Sequence, residues 1–142
     1  MDFQTLITWN GTLYYDQITE LEDGTLRIKV KFLRNEKEKI KSINTSSISP
    51  NDELSIFQLD FPTIVSYLVI DEAYTSLQDS EVFDGEIFRV YKKSRYLDFI
   101  QAQTYALEIE PQKSYTHYQI PTMDYVIDVV SFVEPIITQI DD

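Results

Sequence analysis

Residues 26–32 carry the plainest pattern in the chain: Leu26, Ile28, Val30 and Phe32 alternate with Arg27, Lys29 and Lys31. A period of two places the apolar set on one face of a strand and the basic set on the other. Upstream, Phe3, Thr5, Ile7 and Trp9 fall on one side of an extended segment. Asn10-Gly11 then reads as a hairpin turn, and a second strand runs from Leu13 towards Thr19. Asp23-Gly24 reads as a two-residue turn. That turn predicts Glu20 opposite Arg27, Asp16 opposite Lys31, Leu21 opposite Leu26 and Tyr15 opposite Phe32. Ile18 against Lys29 is the pair that fits least well. Asn35-Glu36 predicts a turn into a fourth strand over residues 39–44, and Ser49-Pro50-Asn51-Asp52 a loop.

Residues 54–59 read as extended. Residues 63–70 form a near-continuous apolar run rich in β-branched and aromatic side chains, which predicts a buried strand. A helix opened by Asp60 and Pro62 is the competing reading. Residues 71–84 read as a long acidic loop and residues 86–91 as a strand. Ser94 fits a helix N-cap, and Tyr96, Leu97, Phe99 and Ile100 recur at helical spacing, so a helix is expected to end near Thr104. Three further strands are expected at residues 105–110, 117–120 and 125–133, bounded by Pro111, Pro121 and Pro135. Neither a repeat nor a linker interrupts the pattern, so residues 1–142 are expected to form a single domain. The expected class is α+β: mainly antiparallel β-sheet, a curved sheet or open barrel, with one or two short helices.

Charge sharpens this picture. The chain holds 24 acidic residues against 12 Lys and Arg, a formal charge of −12 on 142 residues. The excess is uneven: residues 1–59 carry 9 acids and 7 bases, and residues 60–142 carry 15 acids and 5 bases. A domain with one strongly negative half repels nucleic acid and attracts basic partners. A hydrophobic content of 43% separates it from a disordered acidic tail. The absence of cysteine excludes disulfides, thiolate metal sites and a thiol nucleophile. The first residues lack a signal-peptide pattern, and no apolar run approaches membrane-spanning length, so a soluble cytoplasmic protein is expected, without membrane association.

The densest acidity lies in Asp71, Glu72, Asp79, Glu81, Asp84 and Glu86, which follow one another with no intervening base. Such a stretch can dock a basic protein surface; an ordinary solvated loop is the plainer alternative. Calcium would need a D-x-D-x-D-G spacing that the stretch lacks, so no metal or other cofactor is expected. Tyr74, inside the stretch, is the best candidate aromatic anchor, with packing back onto the core as its alternative. Arg27, Lys29 and Lys31, with Lys37, Lys39 and Lys41, form a basic ribbon. Asp16, Glu20, Glu36 and Glu38 lie close enough to make it a salt-bridged solvent face and not a nucleic-acid reader. His117, the one histidine, reads as a strand residue, and no nucleophile motif such as G-x-S-x-G accompanies it. No catalytic residue is therefore assigned.

Gly85-Glu86-Ile87-Phe88-Arg89-Val90-Tyr91, then Ser94-Arg95-Tyr96-Leu97-Asp98-Phe99, His117-Tyr118 and Ile127-Asp128-Val129-Val130-Ser131 resemble the C-terminal half of small acidic bacterial immunity proteins that neutralise secreted toxins. The resemblance covers about a third of the chain. It implies a cytoplasmic, non-enzymatic inhibitor of one cognate toxin, often a basic nuclease, and it supplies no contact residues. Asp71, Glu72, Tyr74, Asp79, Glu81, Asp84 and Glu86 are therefore expected as the partner-binding set on charge and aromaticity alone. A small-ligand-binding β-barrel lined by aromatic strand faces, an enzyme using carboxylates and His117, and a structural subunit are the alternatives.

Overall fold

A computed structural model describes residues 1–34, 53–75 and 81–141. In chain order the elements are α1 (Phe3–Leu6), β1 (Tyr14–Glu20), β2 (Leu26–Leu33), β3 (Leu54–Phe61) and β4 (Ile64–Asp71). A 3-10 turn (Glu72–Tyr74), β5 (Val82–Asp84), β6 (Arg89–Lys93), α2 (Arg95–Gln103) and α3 (Ala106–Ile109) follow. The chain ends in β7 (Thr116–Pro121), β8 (Tyr125–Ser131) and β9 (Ile136–Asp141). The class is α+β and mainly antiparallel, in two sheets of order β1-β2-β3-β9 and β4-β8-β7-β6-β5 that do not close into a barrel. The expected fourth strand at residues 39–44, its flanking turn and loop, and Lys37, Lys39 and Lys41 lie outside the described residues.

Two strand pairs, consecutive along the chain, link the sheets. β3 pairs with β9 in the first sheet, and β4 pairs with β8 in the second. Only Pro62 and Thr63 separate β3 from β4, so the chain bends there from one sheet into the other. The return from β8 to β9 bends beside it, and the two bends are tied by Phe132 N–H and Ser131 Oγ–H, which both donate to Thr63 O at 3.1 and 2.9 Å. A register shift between Ile64 and Ser66 sits at this corner, where bulges serve to turn strands between sheets. β9 has no counterpart among the sequence-based expectations; the short residue 136–141 segment alternates weakly and is mostly exposed.

The core fills the space between the sheets. Leu26, Ile28 and Val30 of β2 and Leu59 and Phe61 of β3 meet Ile120, Ile127 and Val129 of the second sheet. Trp9 plugs one end, with its ring 5.5, 5.6 and 5.8 Å from those of Phe32, Phe57 and Phe88 in edge-on geometry.

Five local expectations are corrected. Residues 3–6 form a helical turn and not a strand, because the Asp2 carboxylate accepts from Thr5 N at 2.9 Å and buries Phe3 and Leu6 at helical spacing. With no strand before it, Asn10-Gly11 closes no hairpin. The β1–β2 connection is a three-residue loop: Leu21 N donates to Thr25 O, Gly24 N to Leu21 O, and Gly24 takes φ +89°. The register therefore slips by one, placing Ile18 against Ile28, Thr19 against Arg27 and Glu20 against Leu26, and shifts again between Tyr15 and Gln17. Asp16 still reaches Lys31 at 3.4 Å, but Arg27 forms its bidentate pair with Asp60 of β3. Residues 105–110 form α3 and not a strand. Ala, Leu and Glu favour the helix, and Ile109 N and Glu110 N bond back to Tyr105 O and Ala106 O. β4 is a strand, as expected, but among the described residues it is an edge strand paired only with β8, and Leu68, Val69 and Ile70 are exposed and not buried. No helix among the described residues is long and apolar enough to cross a membrane.

Candidate functional site

The outward face of the second sheet is built in cross-strand rows. Register aligns Arg89 of β6 with Gln119 of β7, Gln119 with Asp128 of β8, and Asp128 with Leu68 of β4. The adjacent row aligns Tyr91, His117, Val130 and Ser66. Helix α2 lies over this second row. Tyr96 and Ile100 pack on Val130, and Tyr96 O–H donates to Ser66 Oγ at 2.6 Å. The first row is left beside the helix as the floor of a cleft.

A chain of hydrogen bonds runs along these rows. Leu97 N–H donates to Ser94 Oγ at 3.0 Å, capping α2. The same oxygen lies 2.8 Å from His117 Nδ1, and His117 Nε2 lies 2.6 Å from Asp128 Oδ1. Because Ser94 Oγ already accepts from Leu97, its proton is available to Nδ1, which directs the Nε2 proton to Asp128. Gln119 Nε2 donates to the same Oδ1 at 3.0 Å, and Gln119 Oε1 accepts from Arg89 Nη1 at 2.9 Å and from Tyr91 O–H at 3.0 Å. Gln119 thus stands between an arginine and an aspartate with both amide ends fixed. The His117 ring is further held by stacking on Tyr91 at 4.4 Å and by the edge of Tyr96 at 5.2 Å. Burial pushes both tyrosine phenols above their ordinary value, so they act here as neutral donors.

The order Ser94–His117–Asp128 is that of a hydrolytic triad. Ser94, however, is 1% exposed, lies under the first turn of α2 and does not line the cleft. An electrophile has no approach to its Oγ, and the bonds it makes fasten α2 to the sheet.

The cleft has a volume of about 500 Å³. His117, Gln119, Val126 and Asp128 form its floor. Leu68, Ile70 and Tyr74 form one wall, and Arg95, Tyr96 and Phe99 of α2 the other, with Glu81 at the rim. Tyr74 is 84% exposed and Phe99 55%, so the rim offers large apolar surface to solvent. A neighbouring hollow of about 260 Å³ shares Gln119 and Val126 and contains Arg89, whose guanidinium lies 4.8 Å from the Phe83 ring. Among the described residues, no group of three or more potential ligands is placed to hold a metal.

The acidic stretch is dispersed by the fold. It is not one loop: the 3-10 turn and β5 lie within it. Asp71 caps the 3-10 turn by accepting from Ala73 N at 3.0 Å, and Glu72 stands exposed beside it. Tyr74 and Glu81 reach the cleft, and Glu81 Oε2 also accepts from Arg95 N at 3.1 Å. Asp84 pairs with Lys92 at 3.4 Å on the β5–β6 hairpin, and Glu86, exposed in the connection between these strands, donates its N–H to Ile7 O. Asp79 lies outside the described residues. The sequence-based set lacks Asp128, Gln119, Arg95 and Phe99. The available signal is Asp128 itself, a lone acid within the apolar run of residues 125–133. Compared with known protein families, curated proteins and solved structures, the chain matches none of them.

Proposed function

We propose that this protein is a non-enzymatic partner of a basic protein, and that it serves as a cytoplasmic immunity protein neutralising a cognate toxin such as a nuclease. The observation that carries the reading is the coincidence, on one sheet face, of a solvent-open cleft with exposed aromatic rims at Tyr74 and Phe99 and carboxylates at Glu81 and Asp128. Aromatic side chains supply surface that a partner can desolvate, and the carboxylates select a partner of opposite charge. The formal charge of −12 adds long-range attraction. Against a nuclease the acidic face takes the place that phosphates would occupy.

The test is co-expression with the product of the adjacent reading frame, followed by measurement of growth and of association at increasing salt. Protection of the host is expected, with an association rate that falls about tenfold or more from low to high ionic strength. Binding that is indifferent to salt, or a neighbouring product that is neither toxic nor bound, refutes the reading.

A further inference from the structure

The geometry points to the cleft as a socket for one basic side chain, a lysine or arginine of the bound polypeptide, with Asp128 Oδ2 as its receptor. This inference rests on the protein-binding role proposed above and names the chemistry that the same face recognises.

Three observations converge. First, both hydrogen bonds to Asp128 fall on Oδ1, from His117 Nε2 and Gln119 Nε2, and no described residue donates to Oδ2. Second, the Asp128 side chain is only 10% exposed, yet the residue lines the cleft. Among the described residues, Arg89 Nε is the one fully buried polar side-chain atom without a partner, so Oδ2 keeps its opening to the cleft. A carboxylate oxygen held at the floor of an apolar hollow without a donor is a demand for a cation. Third, the walls suit the body of a basic side chain. Leu68 and Ile70 offer surface for a methylene stem, and Tyr74 and Phe99 offer ring faces for a guanidinium or ammonium.

The cleft wall carries one cation of its own, Arg95, and the two other basic groups near Asp128 are committed to fixed partners. Arg89 is held on the other side of Gln119 by the amide oxygen and by Phe83, away from Asp128. His117 gives its Nε2 side to Oδ1 and its Nδ1 side to Ser94. The floor is rigid because each of these bonds fixes the next, which is what a preorganised receptor requires.

The test uses the whole protein and three probes: Nα-acetyl-arginine methylamide, the lysine analogue, and uncharged Nα-acetyl-norleucine methylamide. Two-dimensional NMR reports the Gln119 side-chain amide and the backbone of residues 126–128. The basic probes are expected to bind in the millimolar range with shifts focused on these groups. Norleucine is expected to bind at least about tenfold more weakly, as the loss of a charged hydrogen bond implies. Asp128→Asn is expected to weaken the basic probes about tenfold or more, because the amide keeps the Oδ1 contacts and places a donor where Oδ2 was. Phe99→Ala, at an exposed position outside the core, keeps the test informative if Asp128→Asn fails to fold, and is expected to weaken binding several-fold. Norleucine binding as well as arginine, shifts spread evenly over the acidic surface, or unchanged affinity in Phe99→Ala overturns the socket. A toxin neutralised equally well by folded Asp128→Asn protein overturns the socket and leaves the immunity role standing. Probe binding at Asp128 with no toxin neutralised does the reverse.

Discussion

Removing the Ser94 hydroxyl should loosen α2 from the sheet at a cost that follows from two separate bonds. In Ser94→Ala, Leu97 N–H loses its capping acceptor, which costs about 1 kcal/mol. His117 Nδ1, on a residue that is 2% exposed, loses the one partner it has among the described residues, which adds about 1–3 kcal/mol for a stranded buried acceptor. The sum is about 2–4 kcal/mol, or a fall in Tm of roughly 10 °C for a domain of this size. Ser94→Gly separates the two contributions. Glycine is a tolerable N-cap, so this variant should retain most of the capping energy and show mainly the histidine loss, about 1 kcal/mol less damaging than alanine. Urea denaturation gives both differences, and amide hydrogen exchange should show the added opening concentrated in α2. If Ser94→Ala lies within about 0.5 kcal/mol of the wild type, or if exchange rises uniformly through both sheets, then the Ser94–His117–Asp128 chain is not what holds the helix.

Two of the three glycines with positive φ give a contrast. Gly85→Ala, at φ +111°, would put a Cβ 1.9 Å from the carbonyl oxygen of core residue Phe88 and should cost more than about 3 kcal/mol by thermal melting. Gly24→Ala, at φ +89° with nothing within 4 Å, should cost only about 1–2 kcal/mol. Burial raises the phenols of Tyr91, Tyr96 and Tyr118, so the folded state binds their protons more tightly than the unfolded chain. That stabilisation is full below pH 10.0 and is lost as pH rises through the raised values, so tyrosinate absorbance should lag for these three until the protein unfolds. The Asp2 carboxyl is held below its usual 3.8 mainly by the backbone N–H of Thr5, and Asp23 likewise by Thr25. Both the Asp2 cap and the Asp23 loop bond should persist above pH 3.8 and be lost only as pH falls through the lowered values; Thr5 or Thr25 amide shifts with midpoints at or above 3.8 would contradict this.

The parts of the fold legible in the sequence are those fixed by local chemistry. Alternation at residues 26–32 gives β2, and Ser94 with the apolar spacing behind it gives α2 to its last residue. The misfit of Ile18 against Lys29 also carries information, since a slip of one residue turns it into Ile18 against Ile28. A glycine at positive φ serves both two- and three-residue hairpin loops, so Asp23-Gly24 alone does not choose between them. Residues 105–110 alternate as a strand would, but a strand needs a neighbour, whereas the helical turn makes its two backbone bonds, Ile109 N to Tyr105 O and Glu110 N to Ala106 O, without one. The cleft is the least legible feature. Its floor depends on β6, β7, β8 and β4 lying side by side in a register that joins Arg89, Gln119, Asp128 and Leu68, residues up to 60 positions apart. Polar residues in the outward places of two predicted strands, Gln119 and Asp128, mark the face but not the helix that walls it.

The location of the charge matters more than its amount, and this separates two effects on binding. Most of the acids from Asp71 to Glu86 are solvated or already paired, as Asp84 is with Lys92. In water their interaction with a partner's charge is weak at contact and acts mainly at a distance. Asp128 is one carboxylate, but it sits in the floor of an apolar cleft, where a charge is screened least and a mismatched contact costs most. Neutralising exposed Asp71 and Glu72, as Asp71→Asn with Glu72→Gln, should therefore slow association with a basic partner by a few-fold and leave dissociation nearly unchanged. Asp128→Asn should do the opposite, speeding dissociation by about tenfold or more with little change in the association rate. Surface-plasmon kinetics at two salt concentrations read both rates, and the association effect of the surface pair should vanish at high salt. Equal effects of the two substitutions on association, with dissociation untouched by Asp128→Asn, would mean that the partner senses only the net field of the protein and that the cleft takes no part in holding it.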